Sequence, residues 1–268
     1  MKLSLLKVRL QQFLRPLFKR LFSTFFLFFI PYSLGAQTYT DFGNTYQKIS
    51  STKAKKAAFV SVLLPKIRKA NAAIQTERAF VKKYFSGYLT SNNAFDRSSI
   101  VKLSRLAKKY RIKNIYNEQE FLNKIAPIPT SQVLAQAAVE SAWGQSRFVT
   151  LANNIFGEWT YGKEGIIPEN RPEGMRHKIR IFKTLDDSIA AFMLNLNRHR
   201  AYHKFRDLRA EFEVKHKQFR GVDGVQTMDN YSGIGKEYNK LLERTIIVNK
   251  WGKYDAKIVK KRHSLRWW

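Results

Sequence analysis

The 268 residues contain no cysteine. That excludes thiol nucleophiles, thiolate metal sites and disulfide staples, and leaves stability to a hydrophobic core, which a chain of this length can bury unaided. Acid is scarce: 20 Asp and Glu stand against 49 Lys and Arg, a net charge of +29. No Gly/Ser-rich or Pro-rich linker divides residues 37–268, no internal repeat occurs, and no apolar run makes a comfortable membrane span of about 20 residues. A field this positive draws polyanions, whether nucleic acid, anionic lipid or carboxylated cell wall, and charge alone does not choose among them.

The N-terminus narrows the choice. Lys2, Lys7, Arg9, Arg15, Lys19 and Arg20 precede the apolar stretch Leu21–Ile30, which gives way to Pro31 and the small residues Ser33, Gly35 and Ala36. Residues 1–36 therefore read as a signal peptide with a long basic leader; an uncleaved inner-membrane anchor is the alternative, and both predict export to the periplasm. Removing those six bases from the total of +29 leaves +23 on the remainder. An exported basic chain meets peptidoglycan strands first and anionic membrane surface second, and nucleic acid is not an expected partner.

Residues 37–125 predict a basic helical extension. Phe59, Leu63, Ile67 and Ile74 keep helical spacing, as do Leu103, Leu106 and Tyr110. Pro65 predicts a kink or a division, and Ser86-Gly87 with Thr90–Asn93 predicts a turn. The bases Lys53, Lys55, Lys56, Lys66, Arg68, Lys69, Lys82 and Lys83 read as solvated faces, with wall or membrane attachment the second reading. Residues 126–250 hold the chemistry, and residues 251–268 read as a basic C-terminal tail.

One acid stands out. In Pro127–Gly144, Thr130 or Ser131 can cap a helix after the Pro-Ile-Pro breaker, Gly144 can supply its left-handed stop, and Glu140 is the single acid on an otherwise small and apolar interior. Left unpaired in a desolvated setting, that carboxyl has a raised pKa and can serve as a general acid; met by an Arg or Lys, it is a structural ion pair. Beyond it, glycines and prolines punctuate residues 157–178, and Lys178-Ile179-Arg180-Ile181 alternates with the period of a strand, predicting a small β-lobe. Trp159 and Tyr161 would face one side of an extended stretch and could stack on sugar rings, with anchoring to the helical body as the alternative. Thr184-Leu185-Asp186-Asp187 predicts a capping box with Asp in place of Glu. His199, His203 and His216 lie among bases with no acidic ligand at fixed spacing, so neither a metal nor another cofactor is expected.

The run Glu140-Ser141-Ala142-Trp143-Gly144, followed by Asn153-Asn154-Ile155-Phe156-Gly157, resembles the catalytic-helix signature of the bacterial endo-β-N-acetylglucosaminidases, glycoside hydrolase family seventy-three. The basic N-terminus and the continuation Phe156–Thr160 are similar to the Bax-like branch of that group. The resemblance implies a mainly α, lysozyme-like domain with a small β-lobe, cutting the β-1,4 bond after N-acetylglucosamine in wall glycan with Glu140 as general acid. It implies a second Glu on the lobe, ahead of Phe182-Lys183: Glu169 fits best, then Glu173, with Glu158 as the Bax-like departure. It further implies that Tyr231 lines the groove, although Tyr231 and Tyr238 are seven residues apart where the commoner form has six. Asn154, Phe156 and Tyr238 are candidate substrate contacts, with packing the alternative for Tyr238. A lytic transglycosylase and a non-catalytic wall-binding protein are the competing readings.

Overall fold

Phe59, Leu63, Ile67, Ile74 and Val81 all turn inward along one helix, α1 (Thr52–Tyr88), in this computed structural model. The structure describes residues 42–88, 97–169 and 171–255. The expected signal segment, the Thr90–Asn93 turn and the tail from residue 256 lie outside these. Pro65 does not divide α1, and Ser86 and Gly87 belong to its last turn instead of breaking it. The reason is position: Pro65 sits on the exposed face, as does Ser61, whose carbonyl loses its partner there and can turn to water.

After α1 come α2 (Arg97–Tyr110), α3 (Glu118–Lys124), α4 (Thr130–Glu140) and α5 (Arg147–Ala152), then β1 (Trp159–Thr160) and β2 (Lys178–Ile179). The chain closes with α6 (Leu185–Arg198), α7 (His203–Val214) and α8 (Lys236–Val248), joined by short helical turns at Gly221–Gly224, Val225–Thr227 and Trp251–Tyr254. This is the mainly α, lysozyme-like fold with a small β-lobe and an N-terminal helical extension. The lobe is one antiparallel pair, Trp159 opposite Ile179 and Thr160 opposite Lys178, with a bridge from Ile166 to Ile179.

Helix α4 is the axis of the molecule. Every residue from Thr130 to Ala138 is buried, because α1, α8, the Gly221–Gly224 turn and the Trp251–Tyr254 turn surround it. A helix enclosed on all sides is apolar or small on all sides, which is how Ala135, Ala137 and Ala138 earn their places. Gly221 is fixed by this contact: a Cβ there would lie 2.0 Å from Ser131 Oγ and 2.7 Å from the Gln132 backbone nitrogen. Thr130 and Ser131 do not cap α4 as expected; both lie inside it and Pro129 takes the cap position. Asp255 supplies the cap from a distance, accepting from Ser131 N and Ser131 Oγ at 2.8 Å each and from Gly221 N at 2.9 Å.

Helix α1 shares its buried cluster with α4 and α6, so the extension and the segment after it have one core. Its bases are not uniformly solvated. Lys66 and Lys69 hold Asp186 at the start of α6, at 2.9 and 3.2 Å. The expected capping box is present there: Asp187 N donates to Thr184 Oγ1 and Thr184 N to Asp187 Oδ2, both at 3.1 Å. Buried Arg209 of α7 gathers the carbonyls of Asn123, Ala126 and Pro127, and Arg78 of α1 those of Leu122 and Ile125. Two guanidiniums thus satisfy the carbonyls at the end of α3 and fix the approach to α4.

Candidate active site

The expected stop at Gly144 comes earlier, and with more strain. Helix α4 ends on Glu140, and Ala142, Trp143 and Gly144 follow with φ of 49°, 59° and 77°. Two consecutive non-glycine residues in the left-handed region cost free energy that packing must offset. Here the Trp143 ring lies edge-on to Phe59 at 5.4 Å and against Trp251 at 5.5 Å, with the Lys56 ammonium 4.7 Å from its centroid. Tyr46 Oη donates to the Trp143 carbonyl. The tight reversal leaves Glu140 as the last helical side chain.

Tyr238, in the first turn of α8, donates from Oη to Glu140 Oε1 at 2.6 Å. Among the described residues no cation pairs with Glu140. Burial pushes its carboxyl above the ordinary value, opposed by the Tyr238 hydrogen bond. Tyr231 stacks on Tyr238 with ring centroids 5.4 Å apart and 6° between planes, and its Oη reaches the Phe156 carbonyl at 3.5 Å. Of the two tyrosines anticipated, then, Tyr238 touches the acid and Tyr231 backs it. Tyr202, to which no sequence signal pointed, completes the aromatic wall 6.2 Å from Tyr231. Burial, then the charges of Glu158 and Glu140, push its phenol up to about 12.

Those same two charges also act on Tyr231, so Glu158 and Glu140 flank one aromatic cluster. Asn154 places Glu158: its Nδ2 donates to the carbonyls of Glu158 at 2.9 Å and Arg180 at 2.8 Å, and its Oδ1 accepts from Glu158 N at 2.9 Å. Arg180 N closes the clamp on the Glu158 carbonyl at 2.9 Å. The Glu158 side chain is 17% exposed, with Arg180 Nη1 3.5 Å from Oε2 and Oε1 buried without a partner. Burial lifts its carboxyl to about 7 against the pull of Arg180 and Arg198.

The other anticipated residues fall elsewhere. The Glu169 side chain is 75% exposed and ion-paired to Arg147, and Glu173 is exposed. Asn154 and Phe156 are buried, the amide spent on backbone and the ring stacked on Phe192 at 3.8 Å, so neither offers its side chain to a glycan. Trp159 lies on His177 with centroids 4.0 Å apart and remains 54% exposed, and Tyr161 is 75% exposed. Both rings are open to a ligand. Among the described residues no three His, Asp or Glu side chains are grouped to hold a metal ion.

Residues 115–250 match the family model Glucosaminidase, described as mannosyl-glycoprotein endo-beta-N-acetylglucosaminidase. The chain is 29% identical over 202 residues to Protein bax of Escherichia coli (strain K12), an alignment covering 73% of this chain and 70% of that protein. No solved structure matches it. The matched segment carries Glu140, Glu158, Tyr231 and Tyr238 together, and spans just over half of the sequence. The chain belongs to the glucosaminidase family.

Proposed function

We propose that the protein is an exported endo-β-N-acetylglucosaminidase that cuts the β-1,4 bond after N-acetylglucosamine in peptidoglycan. The observation that carries this reading is the state of Glu140: a desolvated carboxyl, met by a phenol and, among the described residues, by no cation, at the end of the family's signature helix. Such a group keeps its proton to higher pH than an exposed glutamic acid does and can deliver it to the leaving glycosidic oxygen. The second carboxyl is Glu158. It flanks the same aromatic wall, where burial lifts its carboxyl to about 7 against Arg180 and Arg198, so its ionised form is available to activate water or to offset the positive charge that develops on the sugar ring. Glu169, drawn outward by Arg147, is not assigned that role. Trp159 and Tyr161 offer apolar faces to the pyranose rings.

The test is mass spectrometry of fragments released from purified peptidoglycan by the mature protein and by Glu140→Gln, which removes the proton at nearly constant volume. Reducing-end N-acetylglucosamine from the parent, with release slowed by on the order of 10²–10⁴ in the variant, is the expected result. Anhydro-muramyl ends would assign a lytic transglycosylase instead, and undiminished cleavage by Glu140→Gln would remove Glu140 from the chemistry.

A further inference from the structure

Beyond Glu158 the site turns sharply cationic. Arg180 follows β2, Arg198 ends α6, Arg111 follows α2, and Arg200 begins the turn after α6. The charges acting on Arg198 are Arg111, Glu158 and Arg180; those acting on His199 are Arg111, Arg200, Arg206 and Arg198. Arg206 is committed to the carbonyls of Leu196 and His199, at 3.0 and 2.8 Å. Among the described residues, Glu158 is therefore the one acid set against Arg180 and Arg198, with Arg111 adding to their charge. Among the described residues Arg111, Arg198 and Arg200 form no ion pair. Arg198 reaches only the Lys109 carbonyl, at a long 3.4 Å, and its Nε is buried with no partner. Burial first, and then the neighbouring Arg111, push its guanidinium below the usual value.

Clustered guanidiniums cost energy in the free protein, since their charges repel and a buried N–H without an acceptor loses hydration. An entering anion reverses both costs. Guanidinium forks match carboxylates in shape and charge, forming paired, charge-assisted hydrogen bonds. The exposed ring of Trp159, read above as a face for sugar rings, is next in the chain to Glu158, whose carboxylate lies 3.5 Å from Arg180.

We infer that Arg111, Arg180 and Arg198 form a subsite beside Glu158 that binds a free carboxylate carried by the glycan strand. This rests on the glycan reading of the site and deepens it: the protein selects strands by their acidic substituents as well as by their sugars. The carboxylate has two sources, the lactyl group of a peptide-stripped strand or the side chains of an attached peptide.

Binding by the Glu140→Gln protein tests the subsite without requiring cleavage. Three probes are compared by calorimetry at fixed ionic strength: neutral chitin oligosaccharides, peptide-stripped wall strands of equal length, and peptide-bearing strands. The expected result is binding about tenfold or more tighter to one of the carboxylated probes than to the neutral one, and whichever gains identifies the source. Adding Arg111→Gln and Arg198→Gln is expected to remove that preference while leaving chitin binding, which reports an intact fold, unchanged. Lys82→Gln with Lys83→Gln, removing two exposed bases of α1, controls for overall charge and is expected to keep the preference. Equal affinity for all three probes, or an equal loss from the Lys82 and Lys83 changes, would overturn the subsite. Absence of cleavage products from the unmodified protein would instead overturn the hydrolase reading and leave the binding result standing.

Discussion

Glu140 and Glu158 are both raised by burial, and they differ in what opposes it: a phenol for the first, guanidiniums for the second. The Tyr238 hydrogen bond favours the ionised form of Glu140, so removing it leaves burial unopposed. Tyr238→Phe is expected to lower kcat on the order of tenfold, through lost positioning, and to move the limb where activity falls with rising pH to higher pH. A pH–rate profile of the variant checks this, and an unmoved limb would dissociate Tyr238 from the acid. For Glu158 the folded carboxyl, near 7, lies above the ordinary 4.5, so the folded state holds the proton more tightly. Burial favours the neutral form over the charged one, and Arg180 and Arg198 offset part of that preference. Stability is therefore expected to fall as pH rises from 4.5 towards 7, by up to about 3 kcal/mol for this group. Glu158→Gln flattens that slope in thermal melts and removes wall cleavage, whereas Glu169→Gln changes neither. The family resemblance made Glu169 the better second acid, as the lobe glutamate that best fits the position ahead of Phe182-Lys183. Its surroundings were decided by folding: the Asn154 amide clamps the Glu158 backbone inward, while Arg147 holds Glu169 outside.

At the scale of elements, helical composition and spacing were sufficient for α1, α2, α4 and α6, including the Thr184 capping box. Ends were less legible. The reversal after Glu140 uses Ala142 and Trp143 in a conformation their own propensities disfavour, held by Phe59, Tyr46 and Trp251, all of them more than 80 residues away in the chain. Pro65 looked like an interruption because sequence does not reveal which face meets solvent. The Gly221–Gly224 turn carried no recognised motif, and its meaning lies in the closeness of α4. Gly221→Ala forces a methyl onto Ser131 Oγ and the Gln132 backbone, and is expected to destabilise by about 1–3 kcal/mol, read as a lower urea midpoint. A midpoint equal to that of the unmodified protein would mean that the turn can move away from α4 freely.

Across the whole molecule, the composition pointed to a basic body with a self-sufficient core and left its sharing unpredicted: residues 37–125 looked like an appendage, yet α1 supplies one wall of the core around α4. The family signature made Glu140 legible; the arginines around Glu158 come from three separate stretches and have no linear pattern to find. Asp255 is equally invisible in the sequence, a lone acid 124 residues from the helix end it caps. Asp255→Ala leaves the Ser131 and Gly221 amides buried without acceptors, and is expected to cost about 3 kcal/mol and to blunt wall cleavage together with stability. Matched thermal and activity assays check it, and a stable but inactive variant would give Asp255 a different role.

That long-range cap also orders events in time. A ribosome delivers Glu140 well before it delivers Asp255, and until the later residue emerges Ser131, at the start of α4, lacks the acceptor it has in the folded chain. The growing chain therefore possesses its proposed cutting group long before it possesses a seated one. In a protein read as a wall-degrading enzyme, the helix that carries the proposed acid thus gains its cap only when residue 255 is in place.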